Sequence, residues 1–150
     1  ARVAIPAGEL LVINTHLTFL RNGAGVRRRQ IEAIFNHPWL ELPWTAAVLG
    51  GDLNTNLPEL PDLFAWVPGQ WSLQDVYAAA GGPEPRVTMP AYWASSYDRC
   101  LDYLISIARR GEPHPRWCDP AVVLTEPDED GVYPSDHRGV MATLELPDEN

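Results

Sequence analysis

The strongest constraint on this chain is a set of short apolar runs, each broken off by a polar cluster. Leu10-Leu11-Val12-Ile13 stops at Asn14-Thr15-His16, and Ala46-Ala47-Val48-Leu49 stops at Gly50-Gly51-Asp52. Four consecutive apolar residues are too few for a helix of ordinary length and read as a strand buried on both faces. Leu101 to Ile107 predicts a third strand, with Asp102 inside it, and Ala121 to Leu124 a fourth. Val140 to Leu146 alternates apolar and polar residues and predicts a fifth, directly after Ser135-Asp136-His137. Between the strands, Val26 to Asn36 reads as a helix: Ile31, Ile34 and Phe35 share a face and Pro38 ends it. Leu60 to Trp66 and Leu73 to Ala80 read as two shorter helices. The 15 prolines cluster between these elements and mark the loops. No repeat or low-complexity linker interrupts the pattern, so residues 1–150 read as one α/β layered unit.

Charge narrows the function classes. The chain has 20 acidic against 11 basic residues and a formal net charge of −9. That excludes a polybasic binder that works by displacing phosphate counterions. It leaves room for an enzyme that meets phosphate through a divalent metal, which supplies the positive charge. Every basic residue is Arg, so chemistry that needs a lysine, such as a Schiff base or a P-loop, is excluded. Cys100 and Cys118 are too few for a disulfide-rich scaffold or a four-thiolate zinc site, and whether they bridge one another is open. No apolar run is long enough to span a membrane, and no signal peptide is visible at the N-terminus.

Polar residues at strand ends sit on the rim of a sheet, where a rigid scaffold fixes loop chemistry. Taken singly, His16 reads as a rim histidine and Asp52-Leu53-Asn54 as a turn. Asp102 inside an apolar strand resists that reading, because an unpaired buried carboxylate is expensive. Together, four segments form one pattern: Asn14-Thr15-His16-Leu17, Gly51-Asp52-Leu53-Asn54, Arg99-Cys100-Leu101-Asp102-Tyr103-Leu104-Ile105 and Ser135-Asp136-His137-Arg138-Gly139-Val140. The pattern resembles the endonuclease/exonuclease/phosphatase superfamily, metal-dependent phosphoesterases with a DNase I-like layered α/β sandwich. The resemblance runs from about residue 10 to 146. It implies that this chain supplies the C-terminal portion of such a domain, since family members begin with a further half-domain carrying an Asn and a metal-binding Glu.

The resemblance also implies roles. Asp52 orients and deprotonates the attacking water, and Asn54 holds the phosphate or that water. His137, paired with Asp102, contacts a phosphate oxygen, and Asp136 is the metal-site residue. His16 is a phosphate contact or proton donor, and Asn14 and Trp93 are candidate substrate contacts. The implied cofactor is Mg²⁺ or Mn²⁺, in keeping with oxygen donors that retain waters. The implied partner is a phosphoester substrate: nucleic acid, a lipid head group or a small phosphodiester. A complementary N-terminal half or a second copy would complete the sandwich. The competing expectation is a catalytically incomplete fragment or interaction module of the same fold. Arg27-Arg28-Arg29 reads first as a solvated helix start; three cations there oppose the helix dipole, which adds some weight to a phosphate or partner contact.

Overall fold

A computed structural model describes residues 1–91 and 97–146. Its strands are β1 (Arg2–Ile5), β2 (Gly8–His16), β3 (Ala46–Asp52), β4 (Trp71–Asp75), β5 (Asp102–Arg109), β6 (Trp117–Val123) and β7 (Gly139–Leu144). The α-helices are α1 (Ala24–Phe35), α2 (Leu60–Phe64) and α3 (Val76–Ala79). Five strands form a mixed sheet in the order β1-β2-β3-β5-β4, and β6 and β7 form a separate two-stranded sheet. β2 and β3 are parallel; the other pairs are antiparallel.

The register sorts the side chains by face. Leu11, Ala47 and Ile107 lie side by side, as do Ile13, Leu49 and Ile105. With Ile31 and Phe35 of α1 and Leu60 and Leu63 of α2, members of both rows make the main core. α1 therefore forms because its apolar stripe has a sheet to cover. Strand residues alternate faces, so the intervening positions, including His16, Asp52 and Asp102, point to the opposite face. The second sheet packs on this side, β7 near β5 and both β6 and β7 near α3, which itself lies against β5.

The structure corrects parts of the sequence reading. The expected helix over Leu73 to Ala80 is divided: Trp71–Asp75 is strand β4, and only Val76–Ala79 is helical. Asp75 makes the break, because its carboxylate accepts hydrogen bonds from the amides of Tyr77 and Ala78 and caps α3. β1, absent from the sequence reading, is an exposed edge strand whose side chains carry no burial signal. β6 starts at Trp117, ahead of the expected Ala121, and a register irregularity between Cys118 and Ala121 accommodates Pro120. Cys100 and Cys118 are free thiols. Among the described residues, no helix is long and apolar enough to cross a membrane.

Candidate active site

Three neighbouring strands end at the same place. His16 closes β2 and pairs in register with Asp52, which closes β3 and pairs with Asp102 at the start of β5. The three side chains therefore stand in a row along one rim. Backbone bonds tie the rim together: the Leu17 amide donates to the Asp52 carbonyl, and the Leu53 amide to the Leu101 carbonyl.

Asn54 fixes the orientation of Asp52. Its amide N–H donates to Asp52 Oδ1 at 2.7 Å and its side-chain Nδ2 to Asp52 Oδ2 at 3.1 Å. The same Nδ2 lies 2.8 Å from the Leu17 carbonyl. Asn54 has φ +47°, a left-handed conformation that Asn adopts more readily than most residues. Gly51 has φ +129°, and a Cβ there would lie 1.9 Å from the Thr15 carbonyl oxygen. The Gly-Asp-x-Asn spacing is thus set by backbone geometry: Gly where no side chain fits, Asn where the turn is left-handed.

His137 arrives from the loop before β7. Its Nδ1 lies 2.8 Å from Asp102 Oδ2 and 3.9 Å from Asp52 Oδ2. The loop is held by the His137 amide donating to Ser135 Oγ and the Arg138 amide donating to the Thr88 carbonyl. His16 Nε2 approaches Asp52 Oδ2 at 3.4 Å, with its side chain 70% exposed. Burial pushes the Asp52 carboxyl above the usual range; the charge of Asp102 adds to this, and the Asn54 amide and the two imidazoles oppose it. Asp52, Asp102 and His137 offer ligand atoms within 4.8 Å of one another, close enough to share one cation.

This rim forms one wall of a cleft of about 1180 Å³. Arg21, Arg27 and Arg99 line it, together with Phe19, Leu20 and Tyr97. Phe19 is 76% exposed. The cleft thus sets these three arginines among four carboxylates, Asp52, Glu59, Asp102 and Asp136, so basic and acidic groups share one lining.

Asp52, Asn54, Asp102, His137 and His16 converge on the cleft. Asp136 also lines it, exposed, but lies outside the trio that could share an ion. Asn14 is one step back on β2, opposite Gly50, and is not among the cleft-lining residues. Trp93 falls outside the described residues. Sequence reasoning missed Phe19, Leu20, Arg21, Tyr97 and Arg99 as cleft residues. Arg99 stood inside a matched motif, and that was the one available signal; the others carry none.

Neither protein-family models nor curated protein sequences match the chain. Solved structures do. D. rerio TDP2 humanized by 14 mutations is similar over 97% of this chain and 58% of its own, with TM-score 0.76 and 22% identity. D. rerio TDP2 complexed with a single-strand DNA product is similar over 97% and 60%, with TM-score 0.75 and 22% identity. An endonuclease/exonuclease/phosphatase family protein from Leptotrichia buccalis is similar over 97% and 51%, with TM-score 0.66 and 17% identity. The chain therefore has the DNase I-like α/β fold and spans a little over half the length of the structures it matches.

Proposed function

We propose that this chain carries the hydrolytic half-site of a divalent-metal-dependent phosphodiesterase, residues 1–150 forming one partial domain of that fold. The observation that supports this best is the convergence of Asp52, Asp102 and His137 within 4.8 Å beside an arginine-lined cleft. Two carboxylates facing each other at a partly buried rim favour either a proton or a cation between them. The donor set suits a hard divalent ion such as Mg²⁺ or Mn²⁺, with Asp52 and Asp102 contributing oxygens and Asp136 close to the same cleft. When bound, such an ion supplies positive charge to the phosphate oxygens and acidifies a coordinated water.

The protein groups divide the remaining work. Asp52 Oδ2 takes a proton from the water that attacks phosphorus. Asn54 holds the Asp52 carboxylate in one orientation. His137 turns Nδ1 to Asp102, which leaves Nε2 to donate to a phosphate oxygen. As the new P–O bond forms and the ester P–O bond breaks, the leaving alkoxide takes a proton from His16 at the cleft mouth. Arg21, Arg27 and Arg99 hold the anionic ester.

Nucleic acid, and a single strand in particular, is the substrate class this reading favours. The exposed Phe19 and Tyr97 rings beside the arginines suit base stacking next to phosphate contacts. The neighbour complexed with a single-strand DNA product adds weight. The test is hydrolysis of a chromogenic phosphodiester and of a 5′-labelled oligonucleotide by the 150-residue chain, with Mg²⁺ and with EDTA, beside Asp52→Asn. Metal-dependent turnover that the mutation abolishes supports a working half-site. Its absence from folded protein favours the second reading, an incomplete module needing further protein.

A further inference from the structure

The Asp102–His137 pair joins two segments that are remote in sequence, and one residue touches both. Thr88 is completely buried, at 0% exposure, in the connection between α3 and β5. Its hydroxyl oxygen accepts the amide of Leu101 at 2.9 Å and the amide of Asp102 at 3.1 Å. Its carbonyl accepts the amide of Arg138, the residue after His137, at 2.7 Å. Its own amide donates to the Arg99 carbonyl at 3.0 Å. The start of β5 and the loop carrying His137 therefore share one anchor.

We infer that Thr88 is a positioning residue that sets the Asp102–His137 hydrogen bond, the hydroxyl fixing Asp102 and the carbonyl fixing His137. The inference rests on the function proposed above for that pair. Leu101 precedes β5 and Asp102 is its first residue; the Thr88 hydroxyl meets both amides there, and a buried amide needs a partner. A hydroxyl placed to accept both holds the backbone from which the Asp102 side chain projects toward the imidazole. An error of a fraction of an ångström at such a pair reaches the chemistry, because supporting groups set the working geometry. The role needs an oxygen and not merely the volume of Thr88, which is what makes it testable.

The variants are Thr88→Val, which keeps shape and removes the oxygen, and Thr88→Ser, which keeps the oxygen. Thr88→Ala is the second oxygen-free variant, should the valine methyl prevent folding against the two amides. In Thr88→Val we expect kcat on the chromogenic phosphodiester to fall about tenfold while KM stays within about twofold. Thr88→Ser should restore kcat to within about threefold of wild type. Independently of turnover, the downfield proton resonance of the His137 Nδ1–H in its bond to Asp102 should vanish in the oxygen-free variants and persist in Thr88→Ser. A folded oxygen-free variant that retains both the resonance and kcat overturns the inference. So does a Thr88→Ser chain as impaired as Thr88→Val, which would make the role one of packing. If the wild-type chain proves inactive while the resonances follow the expected pattern, the proposed function fails and the anchoring by Thr88 stands.

Discussion

Asp102 and His137 are 35 residues apart and meet at 2.8 Å across the two sheets. Neither residue can be placed by its own segment: Asp102 is held from the five-stranded sheet and His137 from the loop that enters the second one. An imidazole that donates Nδ1–H to a carboxylate is fixed in direction, and its cationic form then has Nε2–H to donate to a phosphate oxygen.

The first prediction concerns that pair as a unit. Asp102→Asn and His137→Ala should each reduce kcat roughly a hundredfold, the usual scale for a lost acid–base or hydrogen-bonding group. The double variant should fall little below either single one, because groups that act as a unit are not additive. Steady-state kinetics on one phosphodiester decides this. Losses that multiply in the double variant would show that the two residues act separately.

Asp52 should trade stability against activity. Its carboxylate is held above the usual range chiefly by burial, so the charged form is disfavoured in the folded chain. Asp52→Asn removes that charge, though it also sets an amide NH2 against one of the two donors of Asn54. The pH dependence separates the two effects: a carboxyl raised in the fold costs stability as pH climbs past its unfolded value, so in EDTA the Tm of the variant relative to wild type should improve between about pH 4 and pH 7. Phosphodiesterase turnover should fall at least about a hundredfold. A Tm difference that stays constant over that range would count against a disfavoured charge at Asp52.

Much of this site was legible because strand ends are legible. A short apolar run followed by Asp or His places that side chain on a rim, and His16, Asp52 and Asp102 indeed form one row in register. The Gly51 and Asn54 positions were legible as turn residues, though not as the two backbone conformations that orient Asp52. Leu73 to Ala80 failed because a strand and a one-turn helix abut at Asp75, and apolar spacing alone does not separate them. β1 failed because an edge strand exposed to solvent needs no apolar pattern. The meeting of the cleft arginines and rings was illegible for a different reason: the loop after β2 brings Phe19 and Arg21, α1 brings Arg27 and the segment before β5 brings Tyr97 and Arg99, and sequence order says nothing of that meeting.

Gly51 should tolerate no side chain. At φ +129° an L residue is strained by about 1–3 kcal/mol. A Cβ there also overlaps the Thr15 carbonyl oxygen, which is backbone of the neighbouring strand and has nowhere to move. Gly51→Ala should therefore lower the urea midpoint by more than that strain alone and separate β2 from β3 beside Asp52. Gly111, with φ +92° and nothing near its absent Cβ, provides the control: Gly111→Ala carries the conformational strain without the clash. Equal losses in the two variants would refute the steric part of the argument.

The last prediction lies away from the cleft and turns on pH. His114 bridges two hydroxyls, its Nε2 lying 3.1 Å from Ser72 Oγ and its Nδ1 3.1 Å from Ser106 Oγ, with Ser106 fully buried. Burial pushes the His114 imidazole below its ordinary value of 6.5, so the folded chain favours the neutral ring. The unfolded chain takes up its proton near the ordinary value, and the folded chain only at lower pH. Between those two points the unfolded state binds more protons, so stability falls as pH drops through the window and is fully retained above it. Melts between about pH 7 and pH 5 should show Tm falling with acidity more steeply in wild type than in His114→Gln, which bonds to hydroxyls without titrating. Other carboxylates and histidines contribute equally to both curves, so the difference between the slopes isolates His114. Parallel slopes would mean that the ring accepts its proton in the fold as readily as in the open chain, and that the Ser72–His114–Ser106 bridge survives protonation.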